Sequence, residues 1–244
     1  MAAAVEEYGG REVRVWLPDS YDAARPEPYP LLLLHDGQNV FDPASSTAPG
    51  GGAWRAGETV DRLVDAGTMP PTVVAGISHA GLRRIDEFTP TKGGRQAAGR
   101  ADEYVLLVLN DILPGLARDY RIRTDAAGLT LGGSSLGGLV TLVIGAAAPG
   151  RFGRLIAMSP SVWWDRRVIL RRLAAQPLAP GTRVWVDAGR HEGRRVLRDA
   201  RALQAELAAH PGVIVRLFED PDGEHSEESW GRRLADALAW LDGF

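Results

Sequence analysis

The stretch Leu129-Thr130-Leu131-Gly132-Gly133-Ser134-Ser135-Leu136-Gly137-Gly138 limits how this chain can fold more tightly than any other. An apolar, strand-like run ends in glycines, a serine pair follows, and Leu139 to Ile144 resumes an apolar pattern. Within it, Gly133-Ser134-Ser135-Leu136-Gly137 fits G-x-S-x-G, the pattern of a serine presented on a sharp strand-to-helix turn. Such a turn is sterically demanding. The serine takes a strained backbone conformation, and only small residues two places before and after it let strand and helix approach closely. The turn lifts the hydroxyl clear of the sheet and aims the next backbone N–H groups, at a helix N-terminus, toward a substrate carbonyl. The competing reading is a glycine-rich helix start that binds an anion.

Along the chain, residues 11–17 alternate charged and apolar, the period of a half-buried strand ending at Pro18. Residues 29–35 form a continuous apolar run, as expected of a strand buried on both faces of a mostly parallel sheet. They empty into His35-Asp36-Gly37-Gln38-Asn39, a loop at a strand's carboxyl end and therefore a site candidate. Residues 42–54 are rich in Gly, Ser and Pro and suit a rim or lid. A helix is expected over 56–66, a strand over 72–77, and a long irregular loop over 78–100. Residues 104–120 carry apolar positions at helical spacing, with Pro114 expected to kink or shorten the helix. Beyond the serine turn, strands are expected over 154–158, 182–188 and 213–218, an amphipathic helix over 195–210, and a terminal helix that turns Trp230, Leu234, Leu238 and Leu241 to the core. Strands and helices alternate throughout without a break in composition. The expectation is one domain over residues 1–244, an α/β fold with a mostly parallel, doubly wound sheet and helices on both faces.

A serine hydroxyl is a weak nucleophile unless a base takes its proton, and the base needs a third group to orient it. The chain contains no cysteine, so disulfides, thiolate metal sites and a cysteine nucleophile are excluded. In α/β-hydrolases the order is Ser, then Asp or Glu, then His, the last two on loops at strand ends. Three histidines follow Ser135. His210 ends a helix, where a cation against the C-terminal carbonyls is explanation enough. His191 comes one strand too early. His225 lies after the last expected strand and just before a helix, where the base belongs. For the acid, Glu192 is preferred, with Asp187 and Asp222 as rivals. Leu136 and Gln38 are the expected backbone oxyanion donors, with Gly37 and Asn39 as neighbours, while His35 and Asp36 are expected to brace the same loop. His35, Asp36 and His79 have no recognisable ligand spacing, so no metal site and no cofactor are expected.

Several segments together resemble the putative-esterase family of α/β-hydrolases, which includes enterochelin esterases and esterase D-type hydrolases. They are LLLLHDGQNVFDP, VVAGISHAGLRRIDEFTP, DYRIRTDAAGLTLGGSSLGGLVTL, IAMSPSVWWD, VDAGRHEG and GEHSEESW. The resemblance implies an α/β-hydrolase fold with Ser135 as nucleophile, His225 as base, Glu192 as acid where one is used, and oxyanion donors at Leu136 and the Gly37-Gln38 turn. It implies a serine carboxylic-ester hydrolase acting through an acyl-enzyme on a small-molecule ester. A siderophore trilactone of the enterochelin type is one candidate substrate. A carbohydrate, feruloyl or acetyl ester is an alternative, as is acyl transfer to an alcohol on the same fold. The extra N-terminal domain often carried by enterochelin esterases is not seen in this sequence.

Trp163 and Trp164, after a strand end, are candidate aromatic walls for a substrate ring, although either could equally be core. Arg84, with Arg83 and Arg190, is a candidate source of positive charge at the cleft. The formal net charge of −3 gives no case for nucleic acid or an anionic membrane as partner. The N-terminus lacks the basic and apolar regions of a secretory signal, and no run approaches the ~18 apolar residues that span a bilayer. A cytoplasmic enzyme is the expectation, and nothing in the sequence speaks to its oligomeric state.

Overall fold

The apolar run at residues 29–35 contains the axis of the fold. Its strand, β3 (Leu31–His35), alternates between two cores: Leu31 and Leu33 pack on one face of the sheet, Leu32 and Leu34 on the other. A strand buried on both faces is continuous in its hydrophobicity because neither face meets water. The computed structural model describes residues 3–93 and 99–242. Residues 94–98 of the expected 78–100 loop, and the extreme ends of the expected 1–244 domain, lie outside the described residues.

The chain order is β1 (Ala4–Tyr8), β2 (Arg11–Trp16), β3, α1 (Ala56–Asp65), β4 (Val73–Ile77), α2 (Arg84–Phe88), α3 (Ala101–Leu107), α4 (Leu113–Asp119), β5 (Leu129–Ser134), α5 (Leu136–Ala147), β6 (Arg154–Met158), α6 (Val168–Ala175), β7 (Arg183–Gly189), α7 (Arg194–Ala208), β8 (Ile214–Asp220) and α8 (Glu227–Asp242). One eight-stranded sheet results, ordered β1-β2-β4-β3-β5-β6-β7-β8. The β1–β2 and β2–β4 pairings are antiparallel and the rest parallel. Residues from α3 to α7 bury their apolar stripes in the core on one face, and α1 and α8 do so on the other. No helix of the described residues is long and apolar enough to cross a membrane.

From β3 the chain steps one way to β4, then returns to the other side of β3 to lay down β5. In open α/β sheets the crevice at such a reversal, beyond the carboxyl ends of the strands, is where ligands bind. Here it lies between the loop after β3 and the Ser135 turn after β5.

Four local differences from the sequence expectation have physical causes. Strand β1 was not expected. It returns through Gly9 and Gly10, both at positive φ, as a two-residue hairpin that only such residues close easily. Pro114 falls where the expected 104–120 helix divides: a π-helical turn at Val108–Ile112 separates α3 from α4, with the Leu113 N–H reaching back to the Val108 carbonyl and Pro114 in the first turn of α4. The expected 78–100 loop holds the short helix α2, and α6 is a helix beyond those expected between 158 and 182.

The spacing of the serine turn follows from its glycines. A Cβ added to Gly133 would sit 2.8 Å from the carbonyl carbon of Gly137, closer than real atoms pack. Gly133→Ala should therefore push α5 off β5 and destabilise the protein by about 1–3 kcal/mol in urea unfolding. An unchanged unfolding midpoint would show that the turn is looser than this.

Candidate active site

Ser135 lies between β5 and α5 with φ 55° and ψ −118°, a conformation that L-residues rarely adopt. The surrounding backbone holds it there. The Ser135 N–H donates to the Met158 carbonyl at 2.9 Å, and the Ser161 N–H donates to the Ser135 carbonyl at 2.9 Å. Strain of this kind persists only where neighbours over-determine it.

His225 approaches from the loop between β8 and α8. Its Nε2 is 3.0 Å from Ser135 Oγ, and its Nδ1 is 2.5 Å from Glu192 Oε2. The far edge of the imidazole is braced by Trp230, whose ring stands edge-on at 4.8 Å. Glu192 sits in a short helical turn after β7, its side chain only 1 % exposed. Burial opposes its ionisation. Hydrogen bonds from His225, from the Ser159 hydroxyl and from the Gly189 N–H outweigh burial and hold the carboxyl below its ordinary range. An ionised Glu192 places the histidine proton on Nδ1, which leaves Nε2 free to accept from the serine hydroxyl. The two loops meet through paired glycines. A Cβ on Gly189 would fall 2.2 Å from the Gly223 carbonyl oxygen, and the His191 N–H donates to that same oxygen.

Behind Glu192 lies a buried polar cluster that sequence reasoning did not anticipate. Arg233 of α8, 2 % exposed, reaches Asp187 Oδ1 at 3.3 Å, Glu192 Oε1 at 3.7 Å and Asp220 Oδ2 at 3.7 Å. Ser159, at positive φ, donates its hydroxyl proton to Glu192 at 2.5 Å and accepts from Trp230 Nε1 at 3.0 Å and Arg233 Nη2 at 3.1 Å. Of the rival acids, Asp187 is fully buried. It faces Ser159 N, Trp185 Nε1 and Arg233 rather than His225, and burial raises its pKa to about 6 against those partners. Asp222 accepts no hydrogen bond from His225; its own N–H donates to Asp220. The signal for Arg233 was present, since position 233 lies three residues after Trp230 and four before Ala237 on the core-facing side of α8. A charged residue is discounted in such a stripe unless a buried acid is already known.

The loop after β3 forms a tight turn. Asp36 has φ 58° and ψ 45°, and its carbonyl accepts from Asn39 N at 2.8 Å. The Gln38 side chain is locked, donating to Thr47 Oγ1 at 3.1 Å and accepting from the His79 N–H at 3.1 Å, and Gln38 is buried. Leu136 opens α5, where first-turn N–H groups lack intrahelical acceptors. A Cβ on Gly137 would lie 3.2 Å from Asp36 Oδ2, so the turn and the start of α5 are in contact range. Below them, His35 is buried with Nδ1 3.0 Å from Tyr104 OH, and burial lowers its pKa to about 4. Among the described residues no group of His, Cys, Asp and Glu could hold a metal ion.

Ser135 and His225 open onto a cleft of about 520 Å³ lined also by Asn39, Thr47, His79, Arg84, Trp230 and the 224–228 loop. Its charge differs from the expectation. Arg84 lines it but is engaged by Asp36, while Glu224, Glu227 and Glu228 form the rim. Arg83 and Arg190 do not line it. Neither tryptophan does either. Trp164 is 3 % exposed and donates from Nε1 to the Thr91 carbonyl, a core residue rather than a wall. Trp163, 42 % exposed, lies against the Arg195 guanidinium. His210, expected at a helix end, lies just past α7 and is buried, its Nδ1 accepting from the Leu178 N–H and its Nε2 3.6 Å from Glu206 Oε1.

Residues 8–241 match the model of the Esterase family, described as putative esterase. The chain is 30% identical to the iron(III) enterobactin esterase of Escherichia coli K12, over 92% of this chain and 52% of that protein. It is 22% identical to the uncharacterized protein YbbA of Bacillus subtilis, over 96% of this chain and 94% of that one. The BES protein of Bacillus cereus has the same fold, with a TM-score of 0.77 at 20% identity, covering 98% of this chain and 92% of that chain. This chain thus spans about half the length of the enterobactin esterase that it matches.

Two buried groups give the fold opposing responses to acid. His35 binds its proton more weakly folded than unfolded, so stability is lost as pH falls from about 6.5 toward 4. Asp187 binds its proton more tightly folded, so its contribution is full below about 4 and is lost as pH rises through 6. The two offset each other across that window. Asp187→Asn should remove the second contribution, and its melting temperature should then fall more steeply than the wild type's between pH 6.5 and 4. Parallel pH profiles would show that Asp187 does not titrate there.

Proposed function

This chain belongs to the putative-esterase family of α/β-hydrolases, and on that premise we propose that it hydrolyses carboxylic esters through an acyl-enzyme on Ser135. The observation that carries the reading is the line Ser135 Oγ–His225 Nε2–Glu192, formed at a serine held in strained geometry at the head of a helix. Ser135 attacks the ester carbonyl carbon while His225 Nε2 takes the hydroxyl proton. Glu192 fixes the tautomer and balances the imidazolium. The oxyanion of the tetrahedral intermediate accepts from the N–H groups of Leu136 and Gln38, a type of contact worth about 10²–10³ in rate. His225 then protonates the departing alcohol. A water, deprotonated by the same nitrogen, attacks the acyl carbon, and collapse returns the proton to Ser135.

For substrate, we carry over the chemistry in the E. coli relative's name and take a siderophore trilactone of the enterochelin type as the ester. The rim charge refines this choice. Three catecholates around ferric iron carry net negative charge, and Glu224, Glu227 and Glu228 oppose its approach. Hydrolysis of a cyclic tricatecholate trilactone, metal-free and iron-loaded, followed by chromatography tests the assignment, with p-nitrophenyl butyrate as control. The metal-free form should turn over faster. Turnover of the control ester alone would leave a serine esterase with another substrate.

Substitution tests the roles. Ser135→Ala should abolish turnover with the fold intact. His225→Ala should lower kcat by about 10⁵–10⁶, and Glu192→Ala by roughly tenfold to a hundredfold less, because the acid orients while the base moves protons. Retained turnover in Ser135→Ala would refute the nucleophile. A greater loss in Asp187→Ala than in Glu192→Ala would reassign the acid.

A further inference from the structure

We infer that Arg84 is a positioning residue for the oxyanion site, acting through Asp36, rather than a contact for the substrate. The inference rests on the serine-esterase reading above. Arg84 grips Asp36 with two parallel hydrogen bonds, Nε to Oδ1 at 2.6 Å and Nη2 to Oδ2 at 2.8 Å, and its guanidinium lies 5.2 Å from the Phe88 ring centre. That bidentate fork commits the Nε–H and one Nη2–H to Asp36 and offsets the guanidinium's charge toward a substrate anion.

Asp36 is the more informative partner. It is a non-glycine residue at φ 58°, two positions before Gln38, and its Oδ2 lies 3.2 Å from where a Gly137 Cβ would be. The carboxylate therefore sits at the opening turn of α5, beside Leu136. A helix N-terminus attracts negative charge. A bare carboxylate there would compete with the reaction's oxyanion for the same field and repel it across a short, poorly solvated distance. Paired with Arg84, the carboxylate becomes half of a near-neutral dipole. The Asp36 carboxylate makes no hydrogen bond to the 37–39 turn itself, so the fork from Arg84 is what ties residue 36 and the proposed Gln38 donor to α2, while the field at the head of α5 stays available to the transition state. Arg84 thus supplies the charge that makes Asp36 tolerable, and the fork between them supplies the geometry.

The test is steady-state kinetics on p-nitrophenyl butyrate, an uncharged ester for which a direct charge contact has no value. A fluorophosphonate probe provides a second readout at Ser135. Arg84→Gln, which unmasks the carboxylate, should lower kcat about 10–100-fold with KM within about twofold, and should slow probe labelling in parallel. Arg84→Lys, which restores charge without the fork, should recover part of the loss. The double variant Asp36→Asn/Arg84→Gln should recover about tenfold over Arg84→Gln alone, because the opposing charge has gone. A purely structural role would make the double variant worse than either single one. Unchanged kcat in Arg84→Gln, or no recovery in the double variant, overturns the inference while leaving the esterase reading intact. A wild-type protein that neither turns over the ester nor takes the probe at Ser135 overturns both.

Discussion

One guanidinium, buried among three carboxylates, underlies the arrangement of the site. Arg233 sits within 3.3–3.7 Å of oxygens from Asp187, Glu192 and Asp220. Desolvating that many charges is costly, and a buried ion cluster is not in itself a source of stability. Its contribution is geometrical. Ser159 spends its single proton on Glu192 and fills its acceptor capacity with Trp230 and Arg233, so the Glu192 carboxylate is held in one arrangement even though Arg233 Nε and Nη1 have no hydrogen-bond partner. The orientation of His225, and hence the direction in which the Ser135 proton can leave, is inherited from that arrangement.

The sheet delivers the remaining parts to the same place. Because β3 and β5 are neighbours with connections running in opposite directions, the turns that follow them open into one crevice. Strands β7 and β8 bring Glu192 and His225 to the same end of the sheet, in register through the Gly189–Asp220 pairing. In the proposed mechanism the nucleophile comes from a strained turn, the acid and base from loops, and the oxyanion donors from the turn after β3 and the start of α5.

Much of this was legible before any coordinates. The glycines at 133 and 137 fixed a close strand–helix approach, and the continuous run at 29–35 required burial on both faces. The order Ser135, an acid, His225 was legible from which loops end strands, with Glu192 preferred over Asp187 and Asp222. Other features were hidden for stated reasons. Gly9-Gly10 is a hairpin signal, but the strand before it, AVEEY, has little apolar content to reveal it. Trp164 and Trp163 are adjacent in sequence yet opposite in environment, and nothing in a dipeptide says which ring turns inward. Arg84 looked available because its partner Asp36 is 48 residues away. Arg233 showed its place in the core-facing stripe of α8 but not its partners, and Ser159 showed neither, because a buried network is a property of elements that meet only in three dimensions.

The placement of Arg233 also bears on when the molecule becomes competent. Chains emerge from the ribosome N-terminal end first, and the elements made early can associate before the rest exists. The Ser135 turn, its flanking strands and the loop after β3 are all synthesised well ahead of α8. Until α8 docks, Asp187 and Glu192 lack the Arg233 guanidinium, and Ser159 and His225 lack Trp230. Of the described elements, the last to be made is thus the one whose Arg233 and Trp230 contact Glu192 and His225. A nascent chain would carry an exposed serine turn that is chemically silent, and reactivity would arrive together with the completed fold rather than ahead of it.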